Sequence, residues 1–203
     1  MKIALIGASG NVGSRIAAEL SSRGHKITGI ARDARKVAAI PGVTPTSADF
    51  TKTEALVEIL KGHAAVISCV PFTGTDPEQL IGAVKASGVP RYLVSGGAGS
   101  LYVAPGMTLA DSPNFPKEYA TEARASGVFL DRLRAQKDLD WTFLSPPALL
   151  AAGERTGKFR VGKDDLLVSG DRGSSISYED FAIALADEVE APKHSRQRFT
   201  VGY

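Results

Sequence analysis

Only one cysteine, Cys69, occurs in the 203 residues, so an intrachain disulfide is excluded and a reducing compartment is expected. Excess charge of either sign is equally scarce. Lys and Arg number 24 against 22 Asp and Glu, a net charge of +2. That balance excludes the electrostatic footprint of a nucleic-acid or membrane-surface protein. No apolar run approaches the ~20 residues needed to span a bilayer. The opening MKIALIG stretch is too short for the hydrophobic region of a signal peptide and runs straight into a glycine turn. There are three histidines, and no close His/Cys/Asp group has ligand spacing, so no metal is expected. With 43% hydrophobic residues, 21 Gly and 11 Pro, the composition is that of a folded globular chain and excludes a fibrous or disordered one. The expectation is a soluble, cytoplasmic protein of one domain, residues 1–203, binding neither nucleic acid nor membrane; oligomeric state is not readable.

What is present is alternation. Residues 2–6 form a β-rich run, after which Val12, Ile16 and Leu20 recur at the spacing of one buried helix face, with Gly24 as its stop. Strands are expected at 26–30, 43–46, 64–70, 91–95, 141–144 and 198–201. Helices are expected at 53–60, after Asp76-Pro77, at 118–134 and at 177–189, the last with a capping box of Ser177 and Asp180. Such strand–helix alternation builds an α/β fold: a Rossmann-type doubly wound parallel sheet with helices on both faces and a small C-terminal lid. Residues 99–116 and 151–176 read as insertions at the carboxyl ends of strands, the edge where ligands bind in open α/β sheets.

The sharpest local feature is Gly7-Ala8-Ser9-Gly10-Asn11-Val12-Gly13. Its glycines allow a tight turn, a close backbone approach to a pyrophosphate, and helix-on-strand packing. The helix starting near Asn11 offers free N–H groups to phosphate. The spacing is GxxGxxG, not GxGxxG, and no Gly-Lys-Ser/Thr follows, which excludes a nucleoside-triphosphate loop. Its place between a first strand and a first helix points to dinucleotide binding. At the end of the second strand stands Ala31-Arg32-Asp33-Ala34-Arg35. Arg32 is placed for a 2′-phosphate, with Arg35 adding charge, so NADP(H) is expected over NAD(H). A shift of one residue would instead bring the Asp33 carboxylate to the ribose.

Together, GASGNVG, Arg32, Ala48-Asp49-Phe50, SGGAGSLYVAP (95–105), DWTFLSPPALL (140–150), GERTGKFRVG (153–162) and ISYEDFA (176–182) resemble atypical short-chain dehydrogenase/reductases. They are similar to the NmrA-like NAD(P)-binding subgroup of NADH-flavin and biliverdin-IXβ reductase-like proteins. The resemblance implies that Gly7, Ser9, Gly10, Asn11, Val12 and Gly13 line the phosphates and Arg32 meets the 2′-phosphate. It places Asp49 and Phe50 by the adenine, and Cys69, Val70 and Pro71 under the adenosine ribose. Ser95, Gly96 and Gly97 would approach the nicotinamide ribose, and Pro146, Pro147 and Ala148 would flank the nicotinamide. Asp49 reads equally as a helix cap ahead of Thr53, and Cys69 as an inert thiol in an apolar strand.

The wider superfamily's Tyr with a Lys four residues later is missing: Gly96, Gly106, Ala123 and Ala182 follow Tyr92, Tyr102, Tyr119 and Tyr178 at that spacing. Ser100, Tyr102 and Tyr119 are the polar groups expected nearest the nicotinamide, and His25, His63 and His194 read as surface residues. Phe72, Leu101, Tyr102, Phe115 and Leu149 are expected to wall a planar acceptor. Reduction of a flavin or quinone stacked on the nicotinamide needs no placed proton donor, so the expected activity is an NADPH-dependent reductase of flat acceptors, with flavin as substrate. The alternative is a non-catalytic NADP(H)-binding sensor of the NmrA-like kind. A sugar-nucleotide epimerase is disfavoured by the missing Tyr/Lys pair and the short C-terminal half.

Overall fold

In the computed structural model, which describes residues 1–170 and 172–203, the chain runs β1 (Lys2–Ile6), α1 (Asn11–Ser22), β2 (Lys26–Ala31), β3 (Val43–Ser47) and α2 (Thr53–Leu60). It continues through β4 (Ala65–Ser68), α3 (Pro77–Ala86), β5 (Arg91–Ser95), β6 (Tyr102–Ala104), β7 (Met107–Thr108) and α4 (Ala120–Arg134). The last elements are β8 (Asp140–Ser145), β9 (Leu149–Ala151), β10 (Arg160–Gly162), β11 (Ser175–Ser177), α5 (Tyr178–Glu190) and β12 (Gln197–Gly202).

Eight strands form one sheet in the order β10-β12-β8-β5-β4-β1-β2-β3, parallel except for β10, which pairs antiparallel with β12. The strand order reverses between β1 and β4, so this is a doubly wound Rossmann-like sheet with its switch point there. Strand periodicity explains how both faces are covered. In β1, Ile3 and Leu5 point into the layer of α1 and α5, while Ala4 and Ile6 point into that of α2, α3 and α4. Ile16, Leu20, Phe181 and Leu185 fill the first layer; Leu56, Leu80, Tyr92 and Phe129 fill the second.

Helix starts follow local chemistry. Asp76 accepts from the Glu78 and Gln79 N–H groups at 2.9 and 3.4 Å, with Pro77 in the first turn. Ser177 Oγ accepts from the Asp180 N–H at 3.0 Å, but the return half of the expected capping box is not made. The fully buried Asp180 carboxylate instead accepts from the N–H groups of Thr156 and Gly157, both at 2.8 Å, and from the Tyr203 hydroxyl at 2.9 Å. It thereby straps residues 153–157 over α5. The β6–β7 hairpin and the β9–β11 pair lie outside the eight-stranded sheet, while β10 and β12 belong to it, and no helix is long and apolar enough to cross a membrane among the described residues.

His25 and His63 are not surface residues, contrary to expectation. They are 8% and 5% exposed. His63 bridges the Leu60 carbonyl and the Thr28 hydroxyl, each at 2.8 Å, and His25 lies between Glu190 and the Met1 amino group at 2.8 and 3.0 Å. The short turns leading into β2 and β4 fold these rings under the helix ends, where each finds polar partners. His194, half-buried, stacks on Phe199 with centroids 4.1 Å apart.

Candidate dinucleotide site

The turn after β1 has the geometry its glycines predict. Gly7 has φ +87°, and a Cβ there would overlap the Cys69 carbonyl; a Cβ on Gly13 would overlap the Gly7 carbonyl. Only glycine fits at either place. The turn is stitched down by the Gly7 and Ala8 N–H groups, which donate to the Ile30 carbonyl at 2.9 and 3.2 Å. Ser9, Gly10 and Asn11 are left exposed, and Val12 packs its side chain on the core. The N-cap of α1 is Gly10, with no side-chain cap and no acid in the first turn. The first intrahelical donor is Ser14, to the Gly10 carbonyl at 2.9 Å. The three N–H groups ahead of it, those of Asn11, Val12 and Gly13, have no helical acceptor, an arrangement that suits a pyrophosphate.

Beside this turn, at the carboxyl ends of β1, β2 and β4, lies a cavity of about 420 Å³. It brings together Gly7, Arg32, Asp49, Phe50, Cys69, Val70 and Pro71, which lie far apart along the chain. Arg32 is exposed at its rim; among the described residues no side chain pairs with its guanidinium, and its carbonyl accepts from Ser47 Oγ at 2.9 Å. Asp33 is turned elsewhere. Its carboxylate takes both the Nε and Nη2 of Arg35, at 2.9 and 3.0 Å, which holds its pKa below the usual carboxylate range and occupies Arg35 as well. Asp49 is not a helix cap, since Lys52 holds that position without a side-chain bond. Its carboxylate closes a turn on Thr51, accepting from the hydroxyl at 2.8 Å and the N–H at 3.0 Å, which lowers its pKa.

Cys69 is an inert thiol. Burial pushes its pKa up to about 12, partly opposed by a bond to Ser95. Gly96 and Gly97 follow β5, and each lacks a side chain for a packing reason. A Cβ on Gly96 would enter the Phe143 ring, and one on Gly97 would stand 2.6 Å from Ser126 Oγ. Pro146 and Pro147 are buried at the end of β8, with Ala148 exposed beside them.

The acceptor wall expected from the sequence is corrected. Phe72 is buried between Phe129 and Phe143, with centroids 5.3 and 6.0 Å away, and Leu101 is fully buried. Both are core residues because the loops after β4 and β5 turn inward over α4. Tyr102 and Leu149 remain exposed, Phe115 is half-buried, and Tyr119 stands in solvent ahead of α4. Ser100 Oγ accepts from Arg198 Nη1 at 3.1 Å, which ties its loop to β12.

Two positioning residues carry no sequence signal. Glu122, in the first turn of α4, accepts from the N–H groups of Phe72 and Thr73 at 2.7 and 2.8 Å, holding the loop that walls the cavity. Gln79 donates to the Thr51 carbonyl at 2.6 Å and secures the opposite wall.

The family model described as NAD(P)H-binding matches residues 7–192. The Bacillus subtilis (strain 168) protein YwnB, described as uncharacterized, is 42% identical over 99% of this chain and 98% of its own. A Bacteroides thetaiotaomicron structure called a "putative epimerase" superposes with TM-score 0.94 at 42% identity, covering 100% of this chain and 96% of that one. A Streptococcus pneumoniae structure called a "putative NADH-flavin reductase" gives TM-score 0.86 at 34% identity over 100% and 99% of the two chains. With the glycine turn, the uncapped helix and the switch-point cavity on one sheet edge, the chain belongs to the NAD(P)H-binding family.

Proposed function

We propose that the protein is an NADPH-dependent reductase of flavins, quinones or similar flat acceptors. The observation that carries the cofactor half is the Arg32 guanidinium at the cavity rim, which no side chain pairs among the described residues, beside an Asp33 already held by Arg35. A planar guanidinium suits a 2′-phosphate, whereas a carboxylate engaged elsewhere is a poor partner for a ribose 2′-hydroxyl. In this reading Ser9, Asn11 and Val12 surround the pyrophosphate, and Asp49 and Phe50 face the adenine. Cys69 to Pro71 support the adenosine ribose, Ser95 to Gly97 the second ribose, and Pro146 to Ala148 the nicotinamide.

When bound, NADPH would supply a hydride to the acceptor ring, leaving NADP⁺, and one proton from solvent would complete the two-electron reduction. The chain's own task is positioning. The turn 7–13 and the α1 N-terminus hold the phosphates, and Glu122 and Gln79 keep the adenosine walls in place. No Tyr with a Lys four residues later occurs in the sequence, so no such pair is assigned a proton. Cytoplasmic placement belongs to the same proposal and rests on the single cysteine.

The test is NADPH oxidation followed at 340 nm (the reduced nicotinamide band) against a panel of riboflavin, FMN and quinones. Turnover with at least one supports the proposal. Tight NADPH binding with no oxidation above background by any of them would overturn it and leave the sensor reading.

A further inference from the structure

We propose that the acceptor binds in the cleft between the β6–β7 hairpin and residues 164–168, and that this cleft selects an uncharged flat ring over one carrying a phosphate. The inference rests on the reductase reading above and names the acceptor class within it.

The cleft encloses about 430 Å³, inside the roughly 300–1,000 Å³ of small-molecule sites. Tyr102, Val103 and Pro105 form one wall, Leu166 and Val168 the other. Tyr102, Val103 and Val168 are 43%, 40% and 57% exposed. Single exposed apolar side chains are ordinary, but three around one concavity leave an unfilled apolar surface with an aromatic ring to stack on. The first wall of the cleft continues the loop that leaves β5 through Gly96 and Gly97, the residues assigned above to the second ribose. Leu167, between the lining residues Leu166 and Val168, packs away from the cleft on Gly202 next to Pro147, at 3.2 and 3.7 Å from where the Gly202 Cβ would stand.

Its walls are held before any ligand arrives. The Tyr102 N–H donates to the Asp164 carbonyl at 2.9 Å, and the Leu166 N–H to the Tyr102 carbonyl at 2.8 Å. Beneath them Arg198, its side chain 2% exposed, donates through Nε and Nη2 to Asp164 Oδ1 at 2.7 and 2.6 Å, and through Nη1 to Ser100 Oγ. One buried guanidinium therefore fixes both loops.

Charge then decides the ligand class. Asp165 is the charged residue lining the cleft, and no cation lines it among the described residues. Of the neighbouring cations, Arg198 bonds Asp164 and Arg160 donates to the carbonyls of Val168 and Tyr203, while Lys163 lies outside the lining. A phosphate-bearing ring entering here would meet a carboxylate with no compensating donor, a penalty of about threefold to tenfold in affinity at a partly screened site.

The test is quenching of riboflavin and of FMN fluorescence by the NADP⁺-loaded protein, with NADPH oxidation by both followed in parallel. Riboflavin is expected to bind at least about threefold tighter than FMN. Asp165→Lys should reverse that order. Val168→Trp, at an exposed position, should weaken both about tenfold by filling the cleft, with the NADPH dissociation constant and the circular dichroism spectrum unchanged. FMN binding as tightly as riboflavin to the unaltered protein, or both flavins indifferent to Val168→Trp, would overturn the cleft. If NADPH is oxidised while the variants are indifferent, the cleft fails and the reductase reading survives. If quenching follows the expected pattern without oxidation, the cleft stands and the reductase reading fails.

Discussion

The two edges of the sheet treat charge in opposite ways. At the amino edge, Arg91 at the start of β5 is held by Asp140 at 2.7 Å, by Glu188 at 2.8 Å and by the Thr142 hydroxyl at 2.6 Å. Glu188, 3% exposed, also accepts from His194 Nδ1 and from the backbone N–H groups of Lys193 and His194. At the carboxyl edge, the α1 N-terminus is uncapped and Arg32 has no side-chain partner among the described residues. A buried charge must be paired or it costs several kcal/mol, so the charges of the amino edge are paired with one another, although Arg91 Nε itself has no acceptor among the described residues. An exposed charge facing a cavity has no such requirement and is free for a ligand. The two edges differ in which groups the fold has left open, and that difference locates the site.

Removing one member of the paired network gives the largest effect. Arg91→Met leaves Glu188 buried beside fewer donors, and the expected loss is about 3–5 kcal/mol of folding stability, read as a lowered urea midpoint. In the fraction that stays folded, the NADPH dissociation constant should be unchanged. A parallel loss of NADPH affinity in folded protein would show that the two edges are coupled and sink the comparison.

Opening the same comparison from the other edge, Arg32→Ala should leave stability nearly unchanged, because the side chain is exposed and has no side-chain partner among the described residues. It should reduce the preference for NADPH over NADH about tenfold, equivalent to roughly 1.4 kcal/mol. The measurement is a pair of fluorescence titrations on each protein. Equal affinities for the two cofactors in the unaltered protein would remove the premise.

Glu122 tests whether the site's walls depend on a remote support. Its carboxylate holds two N–H groups of the 72–73 loop, whereas an amide oxygen in its place accepts more weakly. Glu122→Gln is expected to weaken NADPH binding about threefold to fivefold, with a stability loss of about 1 kcal/mol. A positioning role predicts that the Michaelis constant for NADPH rises while kcat holds. A fall in kcat alone would contradict it.

Features whose causes lie within a few residues were legible in the sequence: the alternation of strands and helices, the Gly7–Gly13 turn, the Asp76-Pro77 helix start and the place of Arg32 at the end of the second strand. Each follows from spacing, capping or backbone conformation. What escaped depends on partners distant in sequence. Phe72 looked like a pocket wall because nothing local shows that Phe129 and Phe143 close over it. Nothing local marks Glu122, since its partners Phe72 and Thr73 lie about 50 residues earlier. Arg198 reaches Ser100 across 98 positions, so the link between the two loops could not be read from either. Asp180 matched a capping pattern whose return bond lost to the 156–157 strap, where two N–H donors and two hydroxyls together outweigh one backbone group.

The smallest expected effect separates the amino edge from simple surface chemistry. Burial lowers the pKa of His63, because the charged ring would lose hydration beneath β1 and β2, although its bond to Leu60 opposes the shift. With the Leu60 carbonyl as acceptor, Nδ1 carries the proton and Nε2 accepts from the Thr28 hydroxyl, which is the neutral ring. In the unfolded chain this histidine titrates near its ordinary value of about 6.5, so on acidification the unfolded state takes up the proton first. The contribution to stability is therefore complete above that value and declines as pH falls through it toward the lowered folded-state pKa. Urea midpoints at pH 7.5 and 5.5 should show a decline in the unaltered protein that is shallower in His63→Gln, the other histidines cancelling in the difference. Identical declines would mean that the ring is solvated in the folded state, contrary to its 5% exposure.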